Sequence, residues 1–479
     1  MPPVQAPIPK PVPSTHPTCV RVHRADRTQI EWICRSLDQT IPDDHPARAI
    51  WSLLGQLDLS KFYADVQSVK GRAGRPAGDP KVLLALWMLA TVDGIGSARR
   101  LDALCTTHDA YRWMRGGVPV DHHTLSDFRV DHQAALDELL TDLIATLVKA
   151  GLVTLDKVAQ DGTKIRASAG ASSLRSEPSL EEALAAAQEQ VKEVARQRDE
   201  PDSQVTARQQ AARERAARER QERLERAIKE ELPEVQAMKE RQKKRLGKKL
   251  AERVKEARVS TTDPEARVMK QGDGGFRPSY NTQLATDTAS QIVVGLGVSN
   301  TGADQGLALP IERQVEARTG VQPGAYLLDG GYIDLEDIKT LEAQGTKVYA
   351  PPKKSKSLRA SESVSGPHGE RKEEAEAASK SEAQGAAGEA KTETKQPAKP
   401  KKAAPAEPPE IEAWRARMET DEAKVIYRER ASTAECVNAQ LKERFGLRRF
   451  LVRGTEKVTC VVLLVVLTHN LLRWHALTS

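Results

Sequence analysis

Aromatic side chains are scarce in this sequence, 4% of 479 residues, and cysteine is scarcer still, with five. So few large apolar rings beside 29% charged residues exclude one uniformly packed globule. They predict ordered cores diluted by solvated helix and by polar, disordered stretches. Cys19, Cys34, Cys105, Cys436 and Cys460 are odd in number and none stands in Cys-x-x-Cys spacing. That argues against a disulfide framework, a thiolate zinc centre and an oxidising compartment. Also lacking is an apolar run of about 20 residues, the length a membrane-spanning helix needs. The longest run, CVVLLVVL at 460–467, predicts a buried C-terminal helix instead. The opening MPPVQAPIPKPVPSTHP has no apolar stretch of the kind a secretory signal carries. A cytoplasmic protein without a membrane partner is the expectation. Charge of one sign is missing too: a net +6 permits a polyanionic partner without demanding one.

Composition divides the chain. Residues 1–17 form a Pro-rich arm expected to be disordered. From 25 to 150 apolar residues recur at helical spacing, as in Val82, Leu83, Leu86, Leu89 and in Leu136, Leu140, Leu143, Leu147, with Gly-rich turns between. This predicts an all-helical N-terminal domain. VTLDKVAQD at 153–161 reads as a strand ending at Asp161. Residues 176–258 are rich in Ala, Glu, Gln, Arg and Lys, with opposite charges at i,i+4. They predict a charged helical (coiled) insertion, a solvated hairpin broken at Pro201 and Pro233, with too few apolar residues for sustained heptads. Two strands (281–287, 291–298), a helix capped by Asp304 (304–318), a strand (325–332), a helix (335–344) and a strand (347–350) follow. Residues 353–410 are low in complexity and nearly free of apolar side chains, a disordered insertion. The remainder, to 476, returns to amphipathic helix.

Two strands end alike, in VAQDGT at Asp161 and YLLDGGY at Asp329. A carboxylate beside glycine at a strand end can hold a hard divalent cation with room for phosphate, and it can equally make an ordinary turn. A third acid, Glu435, lies on the helix expected at 427–442, with Asn438 and Lys442 near the same face. Glu429 and Glu443 are rival carboxylates on that helix. SARRL (97–101) and HHTLSDFR (122–129) place basic and small polar residues on short helices after turns, as a helix-turn-helix reader would. Within them Arg99, Arg100 and Arg129 are candidate DNA contacts, as is Arg75 in GRP (74–76). The pair His122 and His123 lacks a second pair of ligands at zinc spacing. ERFGLRRFLVRGTEK (443–457) interleaves basic residues, Arg448 and Arg449 among them, with Phe445 and Phe450. It suits either DNA backbone or plain packing with arginines in solvent. The glycines at 272–275 lack the Lys-Ser/Thr of a P-loop, so no nucleotide cofactor is expected.

The order of these motifs resembles bacterial insertion-sequence transposases of the DDE class, in the group with a Tyr-Arg-Glu-Lys signature. The resemblance runs through 74–105, 110–129, 161–169, 280–287, 327–334 and 427–458. It implies a multi-domain α+β protein: a helical N-terminal DNA-binding domain, then a ribonuclease-H-like α/β catalytic domain over 151–476 carrying the two insertions. It implies that Asp161, Asp329 and Glu435 are the catalytic carboxylates, holding two Mg²⁺ ions that Mn²⁺ can replace. Tyr427, Arg430 and Lys442 fall at the other signature positions, with Arg430 and Lys442 set to contact phosphate. The commonest signature has three residues between Arg and Glu, whereas four separate Arg430 from Glu435. The implied reaction is cleavage at element ends followed by attack of the freed 3′-hydroxyl on target DNA. The implied partners are double-stranded terminal repeats and target DNA, with the protein a homodimer or higher oligomer near the bacterial nucleoid. A catalytically inactive, transposase-derived DNA-binding protein is the alternative.

If the charged arm pairs two copies, deleting residues 178–257 converts the oligomer to monomer in sedimentation analysis. Unchanged self-association removes that role from the arm.

Overall fold

A computed structural model describes residues 34–64, 66, 68, 76–199, 206–245, 256–352 and 407–478. The Pro-rich arm, Arg75, Pro201 and most of the low-complexity insertion (353–406) lie outside these residues. The chain is mixed α/β. Its first part is helical: α1 (Pro46–Leu54), α2 (Ser60–Ala64), α3 (Pro80–Val92), α4 (Ala98–Thr107), α5 (Asp109–Arg115), α6 (His122–Asp131) and α7 (Gln133–Lys149). Local chemistry sets their starts. Asp79, Ser97 and Asp121 accept backbone N–H groups at the first turns of α3, α4 and α6, and Pro80 occupies the first position of α3. Helix α3 is apolar all round and buried from Pro80 to Thr91, the pattern of a central rather than a surface helix.

The sheet is built on β1 (Lys157–Arg166). On one side β1 pairs antiparallel with β5 (Phe276–Asp287) over a continuous register from Val158↔Asp287 to Arg166↔Ser279. On the other it pairs parallel with β7 (Ala325–Leu327), which pairs parallel with β8 (Lys347–Tyr349). The far edge of β5 carries β6 (Val293–Ser299) and, at the strand's other end, β4 (Arg267–Lys270). Helices α11 (Ala308–Thr319) and α12 (Leu335–Gln344) connect the later strands.

Three local expectations are corrected here. Strand β1 does not end at Asp161 but runs five residues further, because 162–166 find ladder partners at 279–283. Helix α11 begins at Ala308, after Leu307 with no side-chain cap. Asp304 instead accepts hydrogen bonds from Asn281 Nδ2 (2.7 Å) and Gln283 Nε2 (2.9 Å). The run after β7 leaves the strand at Leu328 and turns at once.

The charged insertion is a helical hairpin, α8 (Glu177–Asp199) against α9 (Ala207–Arg226), continued through a π-helical turn (Ala227–Glu231) into α10 (Leu232–Arg245). Pro233 does not break it. The wider π turn just upstream contains the carbonyl of Lys229, the one proline would leave unpaired and crowd in a regular helix. The hairpin has a small core of its own, Leu180, Ala187, Leu224, Ala227, Leu232, Val235 and Val259. A two-stranded ladder at its base, β2 (Leu174–Arg175) with β3 (Val259–Ser260), joins its two feet. Arg267 on β4 then ties it to the large sheet, through Glu231 (2.5 Å) and Glu234 (3.0 Å).

The chain closes with α13 (Pro409–Glu419), α14 (Asp421–Arg430), a π-helical turn (Ala431–Glu435), α15 (Cys436–Glu443) and α16 (Thr455–Thr478). By length and composition α16 could cross a membrane, yet 61% of that apolar window is buried inside the protein. It packs on α1, α3, α6, α7 and β6, and one continuous core runs from Ile41 to Leu471. Its polar side chains bind the β5–β6 turn. Buried Asn470 donates to the Val293 carbonyl (2.8 Å) and accepts its N–H (2.9 Å), and His469 Nε2 lies 2.9 Å from the Gln291 carbonyl. Burial pushes the His469 imidazole down to about 4, so it stays neutral in this contact.

Replacing Arg267 with Ala strands Glu231, whose carboxyl burial already pushes up, without its partner. Loss of a buried pair of this kind costs about 3 kcal/mol. The expected readout is faster amide exchange across 207–245 and a lower urea midpoint. Unchanged exchange there dismisses the anchor.

Candidate active site

Strand β1 presents Asp161 at its middle, half-buried, paired with Leu284 of β5 and two residues beyond the last pair with β7. Asp329 lies two residues beyond β7 in the turn to α12, where its Oδ1 accepts the Gly331 N–H at 2.7 Å. Glu435 ends the π turn between α14 and α15, a segment packed over β1 and β5. The three acids belong to one electrostatic neighbourhood. Burial is the chief force raising the Asp161 carboxyl above its ordinary range. Arg430 and Asn438 oppose that rise, while the negative charges of Asp329 and Glu435 add to it.

Arg430 bridges two of the acids. Its Nη1 is 3.2 Å from Asp161 Oδ1 and its Nη2 donates to Glu435 Oε1 at 2.6 Å. The π turn makes the second contact possible. Arg430 and Glu435 are five residues apart, and a turn with i→i+5 periodicity brings such residues to one side. The five-residue separation of Arg430 and Glu435 is thus accommodated as a helical bulge. Gln291, a non-glycine residue at φ 59° in the β5–β6 turn, donates to the Ser432 carbonyl of this bulge at 3.2 Å. Thr433 Oγ1 donates to the Glu429 carbonyl at 2.7 Å.

Asn438 Nδ2 donates to the other Asp161 oxygen at 2.9 Å. Lys442, one turn further on, is half-buried; burial lowers its pKa, and Asp161 counteracts the drop. Tyr427 packs against the core with the Arg430 guanidinium 6.0 Å from its ring centre. The rival acids are engaged elsewhere: Glu429 accepts from Lys157 Nζ at 2.6 Å, and Glu443 pairs with Arg448.

Under Asp161, on the opposite face of β1, lies a polar layer. Gln160 Nε2 donates to Gln283 Oε1 (3.0 Å) and Tyr326 Oη to Gln160 Oε1 (2.7 Å); Tyr332 Oη also donates to Gln283. Tyr332 is held protonated, first by burial and then by the nearby Asp304, Asp161 and Asp329 charges. Gly162 makes this layer possible, since a Cβ there would stand 2.4 Å from Gln283 Nε2 and 2.6 Å from Asp304 Oδ1. Gln160, Asn281, Gln283 and Tyr332 were not singled out from the sequence. Their signal was present: long polar side chains at mid-strand positions that the pleat must bury.

The N-terminal candidates divide. Arg99 and Arg100 are exposed on the first turn of α4, and Arg99 lines an open cleft with Ser97, His122, His123, Ser126 and Leu451. Arg129 is corrected to a scaffold residue. It is buried, donates to the Gly96 carbonyl and lies 4.5 Å over the Trp87 ring. His122 stacks on His123 at 4.1 Å and lies 3.5 Å from Asp102. Arg448 and Arg449 are exposed on the loop before α16, where the Arg449 backbone bridges to Arg166 at the end of β1.

Among the described residues no group of three or more His, Cys, Asp or Glu is assembled to hold a metal ion. The all-oxygen donor set of Asp161, Asp329 and Glu435 nevertheless suits Mg²⁺ or Mn²⁺. What occupies the gap between two of these acids is a guanidinium.

A family model described as "Transposase DDE domain" matches residues 372–475, and one described as "Transposase domain (DUF772)" matches residues 35–131. The first takes in Tyr427, Arg430, Glu435 and Lys442 and begins beyond Asp161 and Asp329; the second takes in α1 to α6. No curated protein and no solved structure matches.

Gly162→Ala forces the Asn281–Gln283–Asp304 layer apart and costs about 1–3 kcal/mol, the range for overpacking a filled site. Urea unfolding measures it. A variant as stable as the parent shows that the layer yields freely.

Proposed function

An insertion-sequence DDE transposase is what both matched family models support, and from that premise we propose that the chain cleaves DNA at element ends and joins the freed end to target DNA. One observation carries the reading. Acids from three separated stretches of sequence, Asp161, Asp329 and Glu435, share one electrostatic neighbourhood, with Arg430 and Asn438 against Asp161 and Lys442 within reach of its charge. The strand order β6–β5–β1–β7–β8, three antiparallel strands followed by two parallel ones, supports a ribonuclease-H-like catalytic core.

In this reading Asp161, Asp329 and Glu435 hold Mg²⁺, with Mn²⁺ able to replace it. Bound there, the divalent ion supplies charge stabilisation to a phosphoryl group in transfer. The chain's own groups do the rest. Asn438 fixes the rotation of the Asp161 carboxylate. Lys442 and Arg430 offer a point charge and a planar fork to phosphate oxygens beside the scissile bond, and Tyr427 backs the fork. Arg99, Arg100, Arg448 and Arg449 are exposed cations that contact the duplex backbone; such contacts position DNA without reading its sequence. The helical N-terminal part recognises the terminal repeats, and two or more copies act together on paired ends at the bacterial nucleoid.

The test is cleavage of a labelled duplex carrying the element's own terminal sequence, in Mg²⁺, Mn²⁺ or EDTA. Cutting at the element end with either metal and none in EDTA is expected. Asp329→Asn is expected to lose about a thousandfold in rate, the equivalent of several kcal/mol of Lewis-acid stabilisation, while retaining DNA binding. Binding without cutting in every metal supports instead an inactive, transposase-derived DNA-binding protein.

A further inference from the structure

Three carboxylates in one half-buried neighbourhood cannot all carry charge without a counter-charge close by. In this chain the counter-charge is built in. Arg430 is nearly buried, with a side-chain exposure of 12%, and reaches Asp161 at 3.2 Å and Glu435 at 2.6 Å. Its two terminal nitrogens are thus divided between two acids expected to share a cation. Both Asp161 oxygens already face a partner, Oδ1 the Arg430 guanidinium and Oδ2 the Asn438 amide at 2.9 Å. A guanidinium does not lose its proton in a protein, so this group cannot be neutralised to make way. It can only move.

The surroundings suit movement. The Arg430 Nη1 has no hydrogen-bond partner of good geometry despite its burial, so the Asp161 contact is the looser of the two. The residue sits at the junction of α14 and the π turn, and such single π turns recur where helices carry function. Glu435, its firmer partner, is half exposed and can be reached by a competitor from solvent. The competitor best matched to a planar fork of N–H donors is a phosphate oxygen pair.

We propose that Arg430 is an internal counter-ion that keeps the carboxylate site closed to divalent cations until a DNA phosphate takes its guanidinium, so that cation binding is coupled to DNA binding. This rests on the reading of Asp161, Asp329 and Glu435 as the cation site. The coupling is reciprocal: a cation that displaces Arg430 also frees it for phosphate, so each ligand strengthens the other by the same factor. A protein so built holds its cation poorly while free in solution and loads it on the substrate.

The experiment measures Mn²⁺ binding to the full chain by the loss of the free-ion electron paramagnetic resonance signal, without turnover. It is run with and without a saturating short duplex. For the parent chain, duplex is expected to tighten Mn²⁺ binding about tenfold or more, within the usual range of such coupling. Arg430→Gln is expected to bind Mn²⁺ at the tighter level without DNA and to gain little when DNA is added. That second result separates the counter-ion from a simple contribution of DNA phosphate to the cation. Lys157→Gln removes the same charge from β1, where it pairs with Glu429 and not with Asp161 or Glu435, and is expected to follow the parent. Parent chain that binds Mn²⁺ equally well with and without duplex overturns the proposal, and it does so even if Arg430→Gln fails to fold. So does an Arg430→Gln chain that binds no tighter than Lys157→Gln. Adding Asp161→Asn tells the two readings apart. Binding lost with Asp161 keeps the cation site whichever way the coupling falls; binding indifferent to Asp161 removes the site and the counter-ion together.

Discussion

The ladder between β1 and β5 is the constraint on which the rest of this structure depends. It holds β1 from Val158 to Arg166, well past the residue that matters, while β7 holds the other side of its first half. Asp161 is therefore held on one flank by its pairing with Leu284 of β5, two residues past the last β1–β7 pair at Ala159. Asp329 inherits its place from β7, which is pinned to β1 by only three pairs. Glu435 inherits its place from a helix resting on β1 and β5. Opposite Asp161, the pleat turns residues 160, 162 and 164 toward a layer of amides, a carboxylate and two tyrosines that only glycine at 162 leaves room to form. A polar layer of this kind is stable only when its members satisfy one another, and here almost all do; Asn281 Oδ1 remains without a partner.

The helix that brings in Glu435 shows how a sequence irregularity becomes geometry. An α-helix places residues five apart well off one another's side. Arg430 and Glu435 nevertheless meet, because the helix widens to a π turn over residues 431–435. Support for the bulge comes from outside the helix through Gln291 and from within it through Thr433, so the turn is held rather than merely tolerated.

Much of this was legible beforehand. The strand–helix alternation after residue 276, the helix at 335–344, the charged hairpin and the burial of the C-terminal helix all follow from periodicity and composition, because burial there is one-sided or complete. The Asp-Gly steps at 161–162 and 329–330 were visible as a pattern; in the structure the first lies within β1 and the second in the turn after β7. What escaped had a common cause: it depends on partners distant in sequence. The extension of β1 past Asp161 needs β5. The removal of Asp304 from a helix cap needs Asn281 and Gln283. The burial of Arg129 needs Trp87 and the Gly96 carbonyl. The tolerance of Pro233 needs a π turn that no propensity scale describes. Short pairings such as β2 with β3, two residues a side, leave too little pattern to detect at all.

The C-terminal helix has a consequence for how the molecule comes into being. Helix α16 fills the space between α1, α3, α6 and α7 and also seals the edge turn beside β6. The helices made first therefore wait for residues made last. At ordinary rates of synthesis the ribosome needs on the order of a minute to reach them. Through that interval the apolar face of α3 lacks its covering, and the nascent chain depends on chaperones or loose internal contacts to stay out of aggregates. A chain cut short before residue 455 keeps α1 to α15 but not the piece that completes their core. Birth order thus makes closure of this core conditional on translation through α16, which covers the early helices and the β6 edge at once.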